Sequence, residues 1–222
     1  MDIGGILIDA VRASVGPVAA AYAVSAIGLN LQFGYTGLLN FGHVGFMLVG
    51  AYGMAITVDL GGSLWLGILI GLLASVVLGL VLGVPTLRRR ADYLAIVTIS
   101  AAEMLRLIAR SSWADPLTSS VFGIQQFAGA FFDLNPFDPG SPYGIGDLAF
   151  RGRQLWVMVA AWSVVGLSVL FTALLIKSPW GRIIRAIRED EDAVRSLGKN
   201  VFGYKLQSLM IGGALGGLGG ML

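Results

Sequence analysis

With 222 residues, 56% of them hydrophobic and only 13% charged, and a mean hydropathy of +0.80, the chain stands far from soluble domains, in which about 25% of residues are charged. It reads as an integral membrane protein. The net charge of +2 is held in a few loops, which speaks of topology and excludes a nucleic-acid surface, and the absence of cysteine excludes disulfides, thiol catalysis and cysteine metal sites.

The first apolar run follows an acidic start, Met1-Asp2, without a cleavage site, so no cleavable signal peptide is expected. Runs of roughly 17 to 25 residues, suited to a hydrocarbon core about 30 Å thick, lie near 5–29, 44–60, 63–84, 91–110, 155–176 and 206–222. Their length and lack of alternation suit helices and not barrel strands. They predict an all-α polytopic membrane helix bundle of about six spans, forming one transmembrane domain over 1–222.

Between the first two runs, NLQFGYTGLLNFGH (30–43) departs from a simple span, because glycines interrupt it and Asn30, Gln32, Thr36, Asn40 and His43 supply polar side chains. A broken or re-entrant segment is expected there. Such backbone at membrane depth needs protein or a water-filled cavity around it and often lines a transport route; the other reading is a turn at the membrane surface joining two helices. These five residues are therefore candidates for translocation or for packing. His43 is the single histidine, so no histidine pair exists for a metal or a catalytic triad, and a packed, hydrogen-bonded ring stands beside a gating role.

Arg88, Arg89 and Arg90 form a short basic turn, whereas 111–150 lacks Lys and Arg and carries Asp115, Asp133, Asp138 and Asp147. The excess of basic residues at the cytoplasmic face places the arginines inside and 111–150 outside. Within the intervening span Glu103 lies about 22 Å along a helix from Arg88, in the outer third of the bilayer. Ionisable groups there need an account. An internal pair of Glu103 with Arg106, three residues on, is one; contact with a solute is the other. The external stretch is long for a connection and reads as a docking surface or as a re-entrant cover.

Residues 177–205 form a charged island between apolar segments, with seven basic and four acidic residues, and should be cytoplasmic. Ser178-Pro179 is a helix start, and Arg182, Arg185 and Arg188 then recur beside Ile183, Ile184 and Ile187 as in an amphipathic helix that can rest on anionic headgroups. A second short helix is expected over 190–197, with acids at its start, Arg195 near its end and Gly198 as a left-handed cap. Two short helices at an acidic corner make a rigid protrusion that a soluble motor can push. Finally, GGALGGLGG has no Lys-Ser or Lys-Thr pair at phosphate-loop spacing, and Gly212, Gly216 and Gly220 recur every four residues as in close helix packing.

Three blocks carry a resemblance. LNLQFGYTGLLNFGHVGFMLVGAYGMAI, YLAIVTISAAEMLRLI and GRIIRAIREDEDAVRSLGKNVFGYKL resemble, in order, blocks of the permease subunits of ATP-binding-cassette importers for branched-chain amino acids, and the third resembles their cytoplasmic coupling loop. The resemblance implies a single permease domain, with 111–150 as the external surface for an extracytoplasmic solute-binding protein and 177–205 as the loop docking on the ATPase. It implies a coupling role for Arg185, Arg188, Glu189, Glu191, Ala193, Leu197 and Gly198. It also implies a homologous second permease and two ATPase subunits that bind ATP and Mg, with no cofactor or metal in this chain, no enzymatic activity of its own, and a multi-pass location in the inner membrane. Related permeases carry urea, short amides and other small solutes, and a passive channel or a membrane enzyme are readings of other classes. Two departures are Ala193-Val194 in place of paired alanines and Ser119-Ser120 in place of a Gly-Gly turn. Such permeases usually carry further membrane helices after the glycine-rich segment, so the chain is expected to be part of a longer protein.

Overall fold

The structure, a computed structural model, describes residues 3–88, 91–119, 123–124, 128–138, 141–143 and 150–222. Arg89, Arg90, Ser120 and Asp147, all used in the reading of the sequence, lie outside these residues. The elements are α1 (Ile3–Val15), α2 (Pro17–Asn30) running into a π-helical turn (Leu31–Tyr35), α3 (His43–Asp59), α4 (Leu64–Thr86), α5 (Ala91–Ala109), and the short α6 (Asp115–Thr118) and α7 (Gly129–Asp133). They continue with a two-residue antiparallel pair, β1 (Pro142–Tyr143) with β2 (Phe150–Arg151), then α8 (Gly152–Lys177), α9 (Pro179–Glu189), α10 (Glu191–Ser196) and α11 (Val201–Met221).

Helix covers all six predicted spans, but the first is not continuous. Gly16 leaves the helical region and Pro17 starts a new helix, so the chain bends by 48° between α1 and the α2 segment. Proline lacks the amide that would continue α1. By length and apolarity, α4 and α8 are the described helices that can cross a membrane alone, and the bent pair would be a third. The others are less suited to lipid. α3 has 17 residues, α5 carries Glu103 and Arg106, and α11 carries Lys205 and a glycine run.

α4 shows why this is a membrane fold. Its buried face is small, Gly67, Gly71, Ser75, Gly79 and Gly83, while Leu69, Leu73, Val77 and Val81 are exposed. In water that arrangement would be inside out; in hydrocarbon it lets backbones approach while large side chains meet lipid. The chain is an all-α membrane helix bundle.

α11 is packed between α2, α3 and α4. A Cβ on Gly212 would stand 2.6 Å from the Gly28 carbonyl oxygen, one on Gly216 2.7 Å from His43 Nε2, and one on Gly217 would overlap Ser75 Oγ. The recurrence of glycine every four residues thus marks close backbone approach, as expected. α8 closes the bundle against α2 through Ala161 and Val165 on Ala20 and Val24.

Arg88, at the end of α4, stands 5.6 Å from the centre of the Phe202 ring at the start of α11, beside α10. Arg88 and the charged island therefore share one end of the bundle. At the opposite end Trp156, near the start of α8, stacks on Phe131 of α7 at 5.6 Å and donates to its carbonyl at 3.0 Å.

Candidate functional site

The broken segment is the polar centre of the molecule. After α2 the helix widens into the π turn, Gly37 takes a positive φ of 74°, and the chain reaches Gly42 before α3 begins. Leu38 N–H, which would bond four residues back in an α-helix, reaches instead to the Gln32 carbonyl at 2.9 Å. Gln32 (0% exposed), Thr36 (2%), Asn40 (2%) and His43 (6%) are buried. Gln32 Nε2 donates to the Leu209 carbonyl at 3.0 Å, and its Oε1 accepts from Asn40 Nδ2 at 2.8 Å. Asn40 Oδ1 accepts from the Gly42 amide at 3.1 Å, and Thr36 Oγ1 lies 2.6 Å from Ser208 Oγ. His43 Nδ1 is 3.4 Å from Asn40 Nδ2, while Nε2 has no hydrogen-bond partner among the described residues.

Leu209 lies eight residues into α11, so these bonds are about 12 Å along that helix from its start. At that depth free backbone groups are costly, and the side chains satisfy them. Asn30 does not join them. It is exposed, with its side-chain oxygen against Gly34. Two residues on a helix differ by about 200°, which sends Asn30 away from the face that carries Gln32.

Glu103 pairs with Arg106 at 2.5 and 2.9 Å. This is the internal pair anticipated from their spacing, on a face of α5 away from the buried polar residues.

The charged island folds into two short helices and a tight turn. Ser178 Oγ accepts from the Gly181 amide at 3.4 Å and starts α9, which buries Ile184 and Ile187. Asp190 ends α9 in an extended conformation and caps α10, its Oδ1 accepting from the Ala193 amide at 3.0 Å. Gly198, at φ 75°, closes α10: its amide bonds to the Arg195 carbonyl at 2.9 Å and the Lys199 amide to that of Val194 at 3.4 Å. That pair of bonds is the Schellman motif, which favours glycine at the left-handed position. Arg195 ties back to Glu191 and Asp192 at 2.8 and 2.9 Å, and Glu191 also pairs with Lys205 of α11. The corner is therefore fastened within itself and to the bundle.

Its outer surface is Glu189, Ala193, Leu197 and Gly198, all exposed; Leu197 is 78% exposed. Arg185 and Arg188 are exposed as well, but their guanidinium groups reach back to the bundle. Arg185 Nη2 donates to the Ile176 carbonyl at the end of α8, at 2.6 Å, and Arg188 Nη1 donates to the Gly34 carbonyl in the π turn. Sequence alone did not reveal this, because both partners lie on other helices. Among the described residues no group of three His, Asp or Glu side chains is placed to hold a metal.

The described residues thus form a membrane helix bundle with a buried polar break and a fastened helical protrusion at one end. The chain belongs to the family described as branched-chain amino acid transport system, permease component, whose profile matches residues 13–222. It is 33% identical to the high-affinity branched-chain amino acid transport system permease protein LivM of Salmonella typhimurium, over 90% of this chain and 49% of that protein. It is 27% identical to a probable branched-chain amino acid transport permease protein LivM of Methanocaldococcus jannaschii, over 90% of this chain and 63% of the relative. The guanosine ABC transporter permease protein NupQ of Bacillus subtilis is 28% identical, over 99% and 68%. The chain spans about half the length of the Salmonella relative (49%). No solved structure matches it.

Proposed function

We propose that this chain is the membrane-spanning part of a permease subunit in an ATP-driven, solute-binding-protein-dependent importer, and that its solutes are branched-chain amino acids. The observation that supports this most is the protrusion at 178–198, capped at each helix end and presenting Leu197 and Glu189 outward, in a chain of this family. A capped, ion-paired corner transmits displacement, whereas a flexible loop absorbs it. In this reading 1–222 is one permease domain of a multi-pass protein of the inner (plasma) membrane, 177–205 is the cytoplasmic coupling loop and 111–150 receives the solute-binding protein. A homologous permease and two ATPase subunits complete the assembly, and ATP and Mg are bound by the ATPases. The buried polar break is the hinge of the half-bundle, and solute crosses between the two permeases as ATP binding closes the motor beneath them.

The test is purification of the tagged full-length protein with its co-transcribed partners, followed by uptake in proteoliposomes. Stoichiometric ATPase subunits and ATP-dependent uptake of leucine, competed by valine and isoleucine, are expected. Competition by guanosine alone would move the substrate to the nucleosides named for the Bacillus relative. Leucine flux that runs without ATP would replace the importer by a channel.

A further inference from the structure

Arg188 brings α9 onto the break itself, and Arg185 ties it to the end of α8. The Gly34 carbonyl lies at the end of a helix, where the next turn provides no amide, because Leu38 N–H has gone to Gln32. Arg188 supplies the missing donor, a cation at the negative end of the helix dipole. Its stem lies against Gly37, where a Cβ would stand 3.3 Å from Arg188 Cγ. One turn earlier Arg185 caps α8 in the same manner. Ile184, fully buried on the same helix, packs with Leu31 of the π turn and Ile176 of α8. Gly34 is flanked by Gln32 and Thr36, the two side chains that hold α11, and the chain beyond leads through Asn40 into α3.

We propose that Arg188 is a positioning residue, the clamp through which displacement of α9 is passed to the π turn and from there to α11 and α3. α9 thus has two working surfaces. Glu189 faces outward, and Arg188 grips the membrane helices; a π turn, which carries an extra residue in its ring, is the part of the helix with an alternative register to move into. The clamp rests on the importer reading for its role in transport, but not for its existence.

Arg188→Met keeps the stem on Gly37 and removes the guanidinium. In the assembled transporter, with its solute-binding protein and leucine as probe, ATP hydrolysis should stay within about twofold of the parent while leucine imported per ATP falls about tenfold, the range of coupling lost when a connecting residue is removed. Arg188→Lys should keep part of that coupling, and it serves as the test variant if the methionine form does not assemble. Hydrolysis and uptake falling together would make Arg188 an ATPase contact and overturn the proposal, as would an unchanged ratio. A second measurement needs no transport at all. These 222 residues lack cysteine, so with any cysteine elsewhere in the protein replaced, Thr36→Cys, at a site 2% exposed two residues from Gly34, reports on the turn. Its reaction with maleimide should speed up about tenfold when Arg188 is methionine, as local opening becomes cheaper. An unchanged rate would refute the clamp even if the importer stands, and a faster rate in a complex without leucine-stimulated hydrolysis would keep the clamp and refute the importer.

Discussion

Asn40→Leu is the sharpest perturbation of the buried break, because a single side chain there serves two groups that water cannot reach. Asn40 Nδ2 fills Gln32 Oε1 at 2.8 Å, and Asn40 Oδ1 accepts the Gly42 amide at 3.1 Å. Leucine, which has the same branched skeleton but is bulkier, removes both partners and replaces neither. Each stranded group should cost about 1–2 kcal/mol, the lower part of the range for buried polar groups, since hydrogen bonds inside membrane bundles are worth less than their burial suggests. The sum is about 3 kcal/mol, which for a chain of this length corresponds to about 6–12 °C in the unfolding midpoint. Asn30→Leu is the control. Ten residues earlier, on an exposed position, the same change should shift the midpoint by less than about 2 °C, as surface substitutions do. Thermal unfolding of both variants in detergent, alongside leucine uptake in whole cells, measures the difference. Equal midpoints for the two variants would show that Asn40 is not the buried junction described here. Full uptake by Asn40→Leu would remove the break from the transport pathway.

Gly217→Ala should destabilise by about 1–3 kcal/mol through overpacking against Ser75, and Ser75→Gly in the same chain should recover most of the loss; failure of the double variant to recover would place the clash elsewhere. Gly198→Val, which forces a branched side chain to φ 75°, should cost about 1 kcal/mol or more and abolish leucine-stimulated ATP hydrolysis together with uptake; a variant that still imports at the parental rate removes the corner from the coupling path. Single cysteines at Asp138 and Lys199, which the structure puts at opposite ends of the bundle, should be labelled by an impermeant thiol reagent from opposite sides of the membrane. Labelling of both in intact cells contradicts the charge-based orientation.

What the sequence by itself determined was whatever rests on composition, local chemistry or a short period. The membrane class follows from hydropathy, and the two helices of the island follow from Ser178, Asp190 and Gly198, whose capping bonds reach only three to five residues. The recurrence of Gly212, Gly216 and Gly220 needed only a helix of fixed pitch to become a packing face. The same period in Gly67, Gly71, Ser75, Gly79 and Gly83 carries the α4 contact just as legibly. What the tertiary structure alone decided is how residues of one type divide between roles. Asn30 and Asn40 are both asparagines in one polar segment, but the helix turns the first outward and the fold buries the second. Gln32 finds its acceptor 177 residues away, and Arg188 finds Gly34 at a separation of 154. Hydrogen bonds between helices depend on which faces the packing brings together, and that information is spread over every contact in the bundle instead of standing at the two residues that meet.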